Sequence, residues 1–411
     1  MLKGTIYLQG DKSISHRVLI LASIAKGTSE IHNISKSDDV QRTISILSNC
    51  GVTIKTIKNT TFIGRKKKQL KTTKKRFYCG NSGSTARFML GFLPSQGISG
   101  TLYGDKSLSK RPMKRVIEPL RAMNIQINSK NETLPIAFNA SKPTPYKYTL
   151  QVPSAQVKTA LIFTALSSNQ PSFITDPFNT RDHTERLLQY TGYQNKGYSK
   201  FNLNSFQYSV AGDISSAAFL ITAAILIPNS DIQLKNILYN KTRTGYISVL
   251  QKMGANIKVF NKKTEYNEKI CDMQIQYTSN LNSVNLLKDD IIAMIDEIPA
   301  FALAASLAKG TSRVTNALEL RYKETDRIKA IVHNLKKFNV NIKEHNSGFT
   351  IKGPNNLYNT SINDFGDHRI AMMCEIAKLV INKGKLKSKK LKKNINTSFP
   401  EFYKILENLY A

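Results

Sequence analysis

The sequence predicts an α/β protein of two domains, each built from three copies of one repeat. Three observations predict it. One pattern recurs six times, with starts at Gly10, Gly80, Val152, Gly212, Asp296 and Gly366 that lie 60 to 84 residues apart. Each copy opens with small or polar residues, runs into a nearly all-apolar helix of about a dozen residues, and turns into a β-prone stretch. Between copies lie an amphipathic helix and further β-rich sequence, so each repeat reads strand, buried helix, strand, surface helix, strands.

The elements follow in order. The chain starts with an orphan strand, GTIYLQ at 4–9, and the six copies then run GDKSISHRVLILASIAKGTSEIHNI, GNSGSTARFMLGFLPSQGISGTLYG, VPSAQVKTALIFTALSSNQPSFITD, GDISSAAFLITAAILIPNSDIQLKNI, DEIPAFALAASLAKGTSRVTNAL and GDHRIAMMCEIAKLVINKGKLKSKKL. A helix that is apolar all round has to be inside, so the first helix of each repeat belongs under the sheets. The amphipathic helices at 38–50, 111–123, 243–253 and 323–338 cover the outside, with strands such as 51–54 and 339–342 after them. The last surface helix, 399–409, has no strands after it. The N-terminal strand is therefore expected to complete the last repeat. That closes residues 12–211 as one domain and 1–11 with 212–411 as the other, with chain crossings near Asp11 and Gly212 acting as the hinge.

The composition agrees. A chain of 411 residues exceeds what one core needs, and 41% hydrophobic with 21% charged residues excludes a disordered chain. The longest apolar stretch, 217–227, is too short for a bilayer, and MLKGTIYLQG lacks an apolar signal region, which predicts a soluble, cytoplasmic protein. Cys50, Cys79, Cys271 and Cys374 are isolated from one another, so neither disulfides nor a metal site is expected. The net charge of +32 raises nucleic acid, anionic membrane and acidic small molecules as partners. Two lysine runs supply much of it: Lys66, Lys67 and Lys68 with Lys71, Lys74 and Lys75, and the run from Lys383 to Lys393. Both read as solvated hairpins.

The six buried helices begin with Lys12-Ser13, Asn81 to Ser84, Ser154, Asp213, Asp296 and Asp367-His368-Arg369. Helix starts present N–H groups without intrahelical partners and a positive dipole end, which suits phosphates and carboxylates. Arg17, Arg87 and Arg369 lie in these first turns, while Arg111, Arg181 and Arg327 open or line surface helices. Arginine is the preferred fork for such anions. For each arginine a surface ion pair is the competing reading. Asp296 reads equally as an N-cap, and Glu324, between Lys323 and Arg327, as an exposed helix salt bridge or a proton shuttle flanked by cations.

Seven motifs then carry a resemblance. GDKSISHR, GNSGSTAR, SKRPM, PSAQVK, GDISSAA, RYKETDR and DHRIAMM, in this order over 10–400, resemble the 5-enolpyruvylshikimate-3-phosphate synthase family. The resemblance implies the inverse α/β barrel fold and a site in the cleft between the domains. It implies transfer of the enolpyruvyl group of phosphoenolpyruvate to the 5-hydroxyl of shikimate 3-phosphate, on the route to chorismate and the aromatic amino acids, with no metal or organic cofactor. By this resemblance Lys12, Ser13 and Arg17 contact shikimate 3-phosphate, Lys12 reaching phosphoenolpyruvate as well. Asn81, Gly83, Ser84 and Arg111 match phosphoenolpyruvate positions, with serine at 84 where threonine is common. Ser154, Ala155 and Gln156 match the shikimate phosphate loop, Gln156 also serving phosphoenolpyruvate, and Lys158 and Arg181 match basic positions of one branch of the family. Asp296 matches the carboxylate that holds the reacting hydroxyl, Lys323 a shikimate contact, and Glu324 the proton donor to the methylene carbon. Arg327 and Arg369 match the pair on phosphoenolpyruvate, with His368 beside them. Asp296, Glu324 and Lys12 are thus the expected catalytic set.

Three positions depart from the pattern. Thr397 stands where some members carry a phosphoenolpyruvate-contacting lysine, Glu319 replaces an asparagine, and Ala155 a serine. A related reading, the UDP-N-acetylglucosamine enolpyruvyl transferase, commonly uses a loop cysteine, whereas this chain has Arg111 in SKRPM and no cysteine there. A nucleic-acid-binding protein needs aromatic platforms or a recognition helix, and the lysine runs are not interleaved with aromatics. A monomer acting on two small anions, without nucleic acid or membrane, is the expectation.

Overall fold

The computed structural model describes residues 1–65, 69–385 and 393–410. Lys66 to Lys68 and, in the second run, Lys387, Lys389, Lys390 and Lys392 lie outside the described residues, so the hairpin expectation there rests on sequence. Contacts divide the chain into two units, one of Gly10–Val210 with Tyr266–Glu268, the other of Met1–Gln9, Ala211–Glu265 and Lys269–Ala411.

In the first unit three apolar helices, Lys12–Ile24, Gly83–Ser95 and Ala155–Ala165, are buried along almost their whole length. None has an exposed stripe because none carries a polar face long enough to make one. The helices Gly83–Ser95 and Ala155–Ala165 come into backbone contact at Gly91, where a Cβ would stand 2.7 Å from the Ala160 carbonyl oxygen. Around them lie a four-stranded sheet ordered Gln207–Ser209, Ser29–His32, Thr60–Arg65, Val52–Ile57, a second ordered Arg76–Tyr78, Gly100–Tyr103, Ile136–Phe138, Ile127–Asn128, and a two-stranded third, Lys147–Thr149 with Phe173–Thr175. The surface helices are Asp38–Asn49, Lys114–Ala122 and His183–Tyr190. On the second sheet Tyr78 and Tyr103 stand 5.1 Å apart, with the Arg42 guanidinium over the first and Arg76 over the second. Aromatic rings beside cations are thus present where the sequence pattern gave none, because cross-strand neighbours are distant in sequence.

The second unit repeats the plan with buried helices Ile214–Leu226, Ile298–Leu307 and His368–Ile381. Its four-stranded sheet runs Lys3–Tyr7, Asp231–Leu238, Glu268–Gln276, Ile257–Glu265. The N-terminal strand pairs in parallel with Asp231–Leu238, from Lys3 opposite Asp231 to Tyr7 opposite Lys235, so it completes the fourth repeat and not the sixth. The sixth repeat's link to the N-terminus is a bridge between Leu2 and Tyr410. Lys3–Tyr7 supplies the fourth repeat with the parallel strand that its own segment lacks, a long-range pairing that local composition does not encode. The fifth repeat has a three-stranded antiparallel sheet ordered Gly310–Val314, Gly348–Gly353, Asn341–His345.

Among the described residues no helix is long and apolar enough to cross a membrane. The same residues hold no group of three or more His, Cys, Asp or Glu side chains able to bind a metal ion. All four cysteines are buried and none is in a disulfide.

Candidate active site

Each unit gathers the starts of its three buried helices. In the first unit all three starts are fixed by caps and cross-links of short reach. Asp11 accepts the Ile14 amide, Ser82 that of Thr85 and Ser154 that of Val157, so three side-chain oxygens close three first turns. Arg17 is 3% exposed and donates to the Ser13 carbonyl at 2.7 Å, to Thr159 Oγ1 at 2.8 Å and to Thr184 Oγ1 at 2.9 Å, with Phe88 under its plane. It therefore joins the first helix to the third, which overturns the surface ion pair as its reading. Arg181 reaches Ser13 Oγ at 3.5 Å. Lys12 pairs with Asp39 at 2.7 Å.

The start of the second helix is equally tied down. Gln156 donates to Ser84 Oγ at 2.9 Å and accepts from Arg87 at 2.7 Å, linking the first turns of the second and third helices. Gly83 makes room for this, because a Cβ there would sit 2.7 Å from Arg87 Nη1. Asn81 accepts from Arg111 and donates to Asp105 at 2.7 Å. Ala155 is the first residue of its helix, directly behind the Ser154 cap. Lys158 is otherwise occupied: it is buried and bridges Asp176 at 2.8 Å and Glu185 at 2.7 Å, which makes it part of an interior ion-pair group.

The second unit concentrates charge. Arg327 is 1% exposed and donates to Asp367 Oδ2 at 2.8 Å, Asp296 Oδ1 at 3.3 Å and Glu324 Oε2 at 2.5 Å. Burial opposes its charge, but Asp367, Glu324 and Asp296 outweigh burial and hold its pKa above the ordinary arginine value. Lys323 Nζ lies 3.7 Å from Asp296, and Arg369 donates to the Asp296 carbonyl at 3.0 Å with its second nitrogen 3.9 Å from the carboxylate. Three cations thus surround Asp296. Lys323 has its pKa lowered, chiefly by removal from water, with Arg327 adding to this and Asp296, Glu319 and Glu324 opposing it. Glu319, one of the sequence departures, therefore acts on Lys323 electrostatically.

Two sequence alternatives fail here. Asp296 is not an N-cap: the helix begins at Ile298 behind Glu297, and no side chain caps it. Glu324 pairs with Arg327, but it precedes the helix Arg327–Lys337 and its side chain is only 16% exposed. His368 is the first residue of its helix, buried next to Arg369, and Thr397 closes a 3₁₀ turn, Lys393–Thr397.

Sequence reasoning missed the acids and hydroxyls that hold these groups, Asp39, Asp105, Thr159, Thr184 and Glu297, and with them Arg243. Glu297 is fully buried and accepts from Ser215, to which Arg243 also donates at 2.8 Å. Only Asp105 left a trace, as the acid just ahead of SKRPM.

Residues 1–406 match the family model described as EPSP synthase (3-phosphoshikimate 1-carboxyvinyltransferase). The chain belongs to the EPSP synthase family. Relatives named 3-phosphoshikimate 1-carboxyvinyltransferase include that of Petrotoga mobilis, 40% identical over 99% of this chain and 97% of that protein. That of Streptococcus mutans is 38% identical over the same shares. The solved EPSP synthase of Acinetobacter baumannii superposes with a TM-score of 0.84 at 32% identity, covering 100% of this chain and 96% of that one. The enolpyruvyl transferase NikO of Streptomyces tendae, 14% identical, shares the fold at a TM-score of 0.74 over 99% of this chain and 95% of its own. The architecture is the two-domain inverse α/β barrel of the EPSP synthase family.

Proposed function

We propose that this protein transfers the enolpyruvyl group of phosphoenolpyruvate to the 5-hydroxyl of shikimate 3-phosphate. The observation that carries the reading is the cluster in which Asp296 and Glu324 are set among Lys323, Arg327 and Arg369 within 4 Å. In the proposed reaction the 5-hydroxyl oxygen bonds to C2 of phosphoenolpyruvate while C3 gains a proton. Phosphate then leaves C2 as C3 returns a proton, which restores the double bond. Asp296 takes the hydroxyl proton and Glu324, once protonated, serves C3. Lys12 stands with them in the catalytic set.

Both substrates are multiply anionic, so the reaction needs cations to offset their repulsion and fix their approach. Arg327 and Arg369 take the carboxylate and phosphate of phosphoenolpyruvate, with Asn81, Gly83, Ser84, Arg111 and Gln156. Ser13, Arg17, Ser154, Ala155, Arg181 and Lys323 hold shikimate 3-phosphate. Support comes from the motif match, from family membership and from the gathering of helix starts, whose dipoles add to the arginine charges. The test is phosphate release. Release that needs both substrates is expected; its absence, or equal release when UDP-N-acetylglucosamine replaces shikimate 3-phosphate, would contradict the proposal.

A further inference from the structure

We propose that Asp105 is a positioning residue: it fixes which way the Asn81 amide faces and, through that amide, holds the Arg111 guanidinium in line. The proposal rests on the reading of Asn81 and Arg111 as phosphoenolpyruvate contacts.

Asp105 follows the strand Gly100–Tyr103, and its N–H donates to the Gly80 carbonyl at 2.9 Å, which ties its loop to the residue before Asn81. Both of its carboxylate oxygens are committed. Oδ1 accepts the Leu108 amide at 2.7 Å, and Oδ2 accepts Asn81 Nδ2 at 2.7 Å. A side-chain amide is nearly symmetric in shape and can turn over, so its direction is set by its neighbours. A carboxylate only accepts, which forces the Asn81 nitrogen toward Asp105 and leaves Asn81 Oδ1 for Arg111 Nη2, a group that only donates. Ser107 Oγ accepts from the same Nη2 at 3.3 Å. Arg111 is 6% exposed, so a misplaced donor there has little water to turn to.

Asp105→Asn keeps the shape and changes one acceptor to a donor. The Leu108 N–H cannot turn, so the new amide must keep its oxygen there and present its nitrogen to Asn81. Asn81 then turns over and sets its own nitrogen against the guanidinium, donor against donor. Adding Asn81→Asp to that variant restores the order, because the new carboxylate accepts from both sides.

Steady-state kinetics on the full-length enzyme test this. Asp105→Asn is expected to raise KM for phosphoenolpyruvate roughly tenfold, with KM for shikimate 3-phosphate and the melting temperature nearly unchanged. Asn81→Asp alone, which sets two carboxylates face to face, is expected to lower the melting temperature, and the double variant Asp105→Asn with Asn81→Asp to restore it. An unchanged KM, an equal rise in both KM values, or a double variant that melts no higher than Asn81→Asp alone would overturn the proposal. A readout independent of turnover separates it from the functional reading: the Asn81 side-chain amide signal in a 15N spectrum must shift in Asp105→Asn. If it does not, the positioning role is wrong even in an active enzyme. If it shifts in a protein without activity on either substrate, the functional reading fails and the positioning role stands.

Discussion

Arg327 and Asp367 face each other side-on in the interior, Nε donating to Oδ2 at 2.8 Å and Nη2 to Oδ1 at 3.4 Å, with neither residue more than 1% exposed. Asp367 at the same time caps its own helix by accepting the Arg369 amide at 2.8 Å. One carboxylate therefore holds the Arg327 guanidinium and the helix turn that carries Arg369. Its removal leaves a buried guanidinium short of its main partner. Asp367→Ala is expected to lower the unfolding free energy by about 3–5 kcal/mol in denaturant titration. A loss below about 1 kcal/mol, the range of a surface pair, would contradict the role.

Arg369 has a different environment. Its contacts are the Asp296 carbonyl at 3.0 Å and carboxylates 3.8 and 3.9 Å away, looser than those of Arg327. It is thus the freer of the two to grip an incoming anion. Arg369→Ala is expected to raise KM for phosphoenolpyruvate far more than that for shikimate 3-phosphate, and equal effects on both would refute the assignment.

Glu324 sits 2.5 Å from Arg327; in the proposed reaction Arg327 exchanges this carboxylate for the substrate anion, which lets Glu324 take up a proton. Glu324→Gln keeps the size and loses the proton chemistry. Turnover should fall by about 10²- to 10⁴-fold while the KM values stay near wild type. Turnover at the wild-type level would remove Glu324 from the mechanism.

His16 supplies a pH test of the first unit. It is fully buried, with Nδ1 2.8 Å from Thr43 Oγ1, and its pKa lies well below 6.5 because of burial first, then Lys12 and Arg17, with Asp11 opposing. The unfolded chain takes up a proton near pH 6.5 that the folded one refuses, so this contribution is complete above about pH 6.5 and is lost as pH falls below it. His16→Gln, which cannot titrate, should flatten the decline of the melting temperature between about pH 6.5 and 5. An unchanged slope would mean that other groups carry it.

The buried helices were legible because an unbroken apolar run of their length has one place to go. Five of their caps fall on an Asp or Ser at the start, Asp11, Ser82, Ser154, Asp213 and Asp367, whereas the helix Ile298–Leu307 has no side-chain cap. Surface helix boundaries were less legible. The helix expected from 323 begins at Arg327, because Asp326 accepts the Lys329 amide and a 3₁₀ turn, Leu318–Tyr322, precedes it. The helix expected from 111 begins at Lys114, after Pro112, a residue without an N–H to donate. Motif residues announced Arg17, Arg327 and Asp296, but not what holds them. Thr159 and Thr184 stand 142 and 167 residues from Arg17, and such partners carry no local signal. The N-terminal strand was misassigned for the same reason: its partner, Asp231–Leu238, lies more than 220 residues away.

Identification of the product tests the central claim most directly. With phosphoenolpyruvate and shikimate 3-phosphate supplied together, mass spectrometry should find the enolpyruvyl ether of shikimate 3-phosphate, formed one for one with free phosphate. Phosphate without that ether, or neither product under any ratio of the two substrates, would contradict the account.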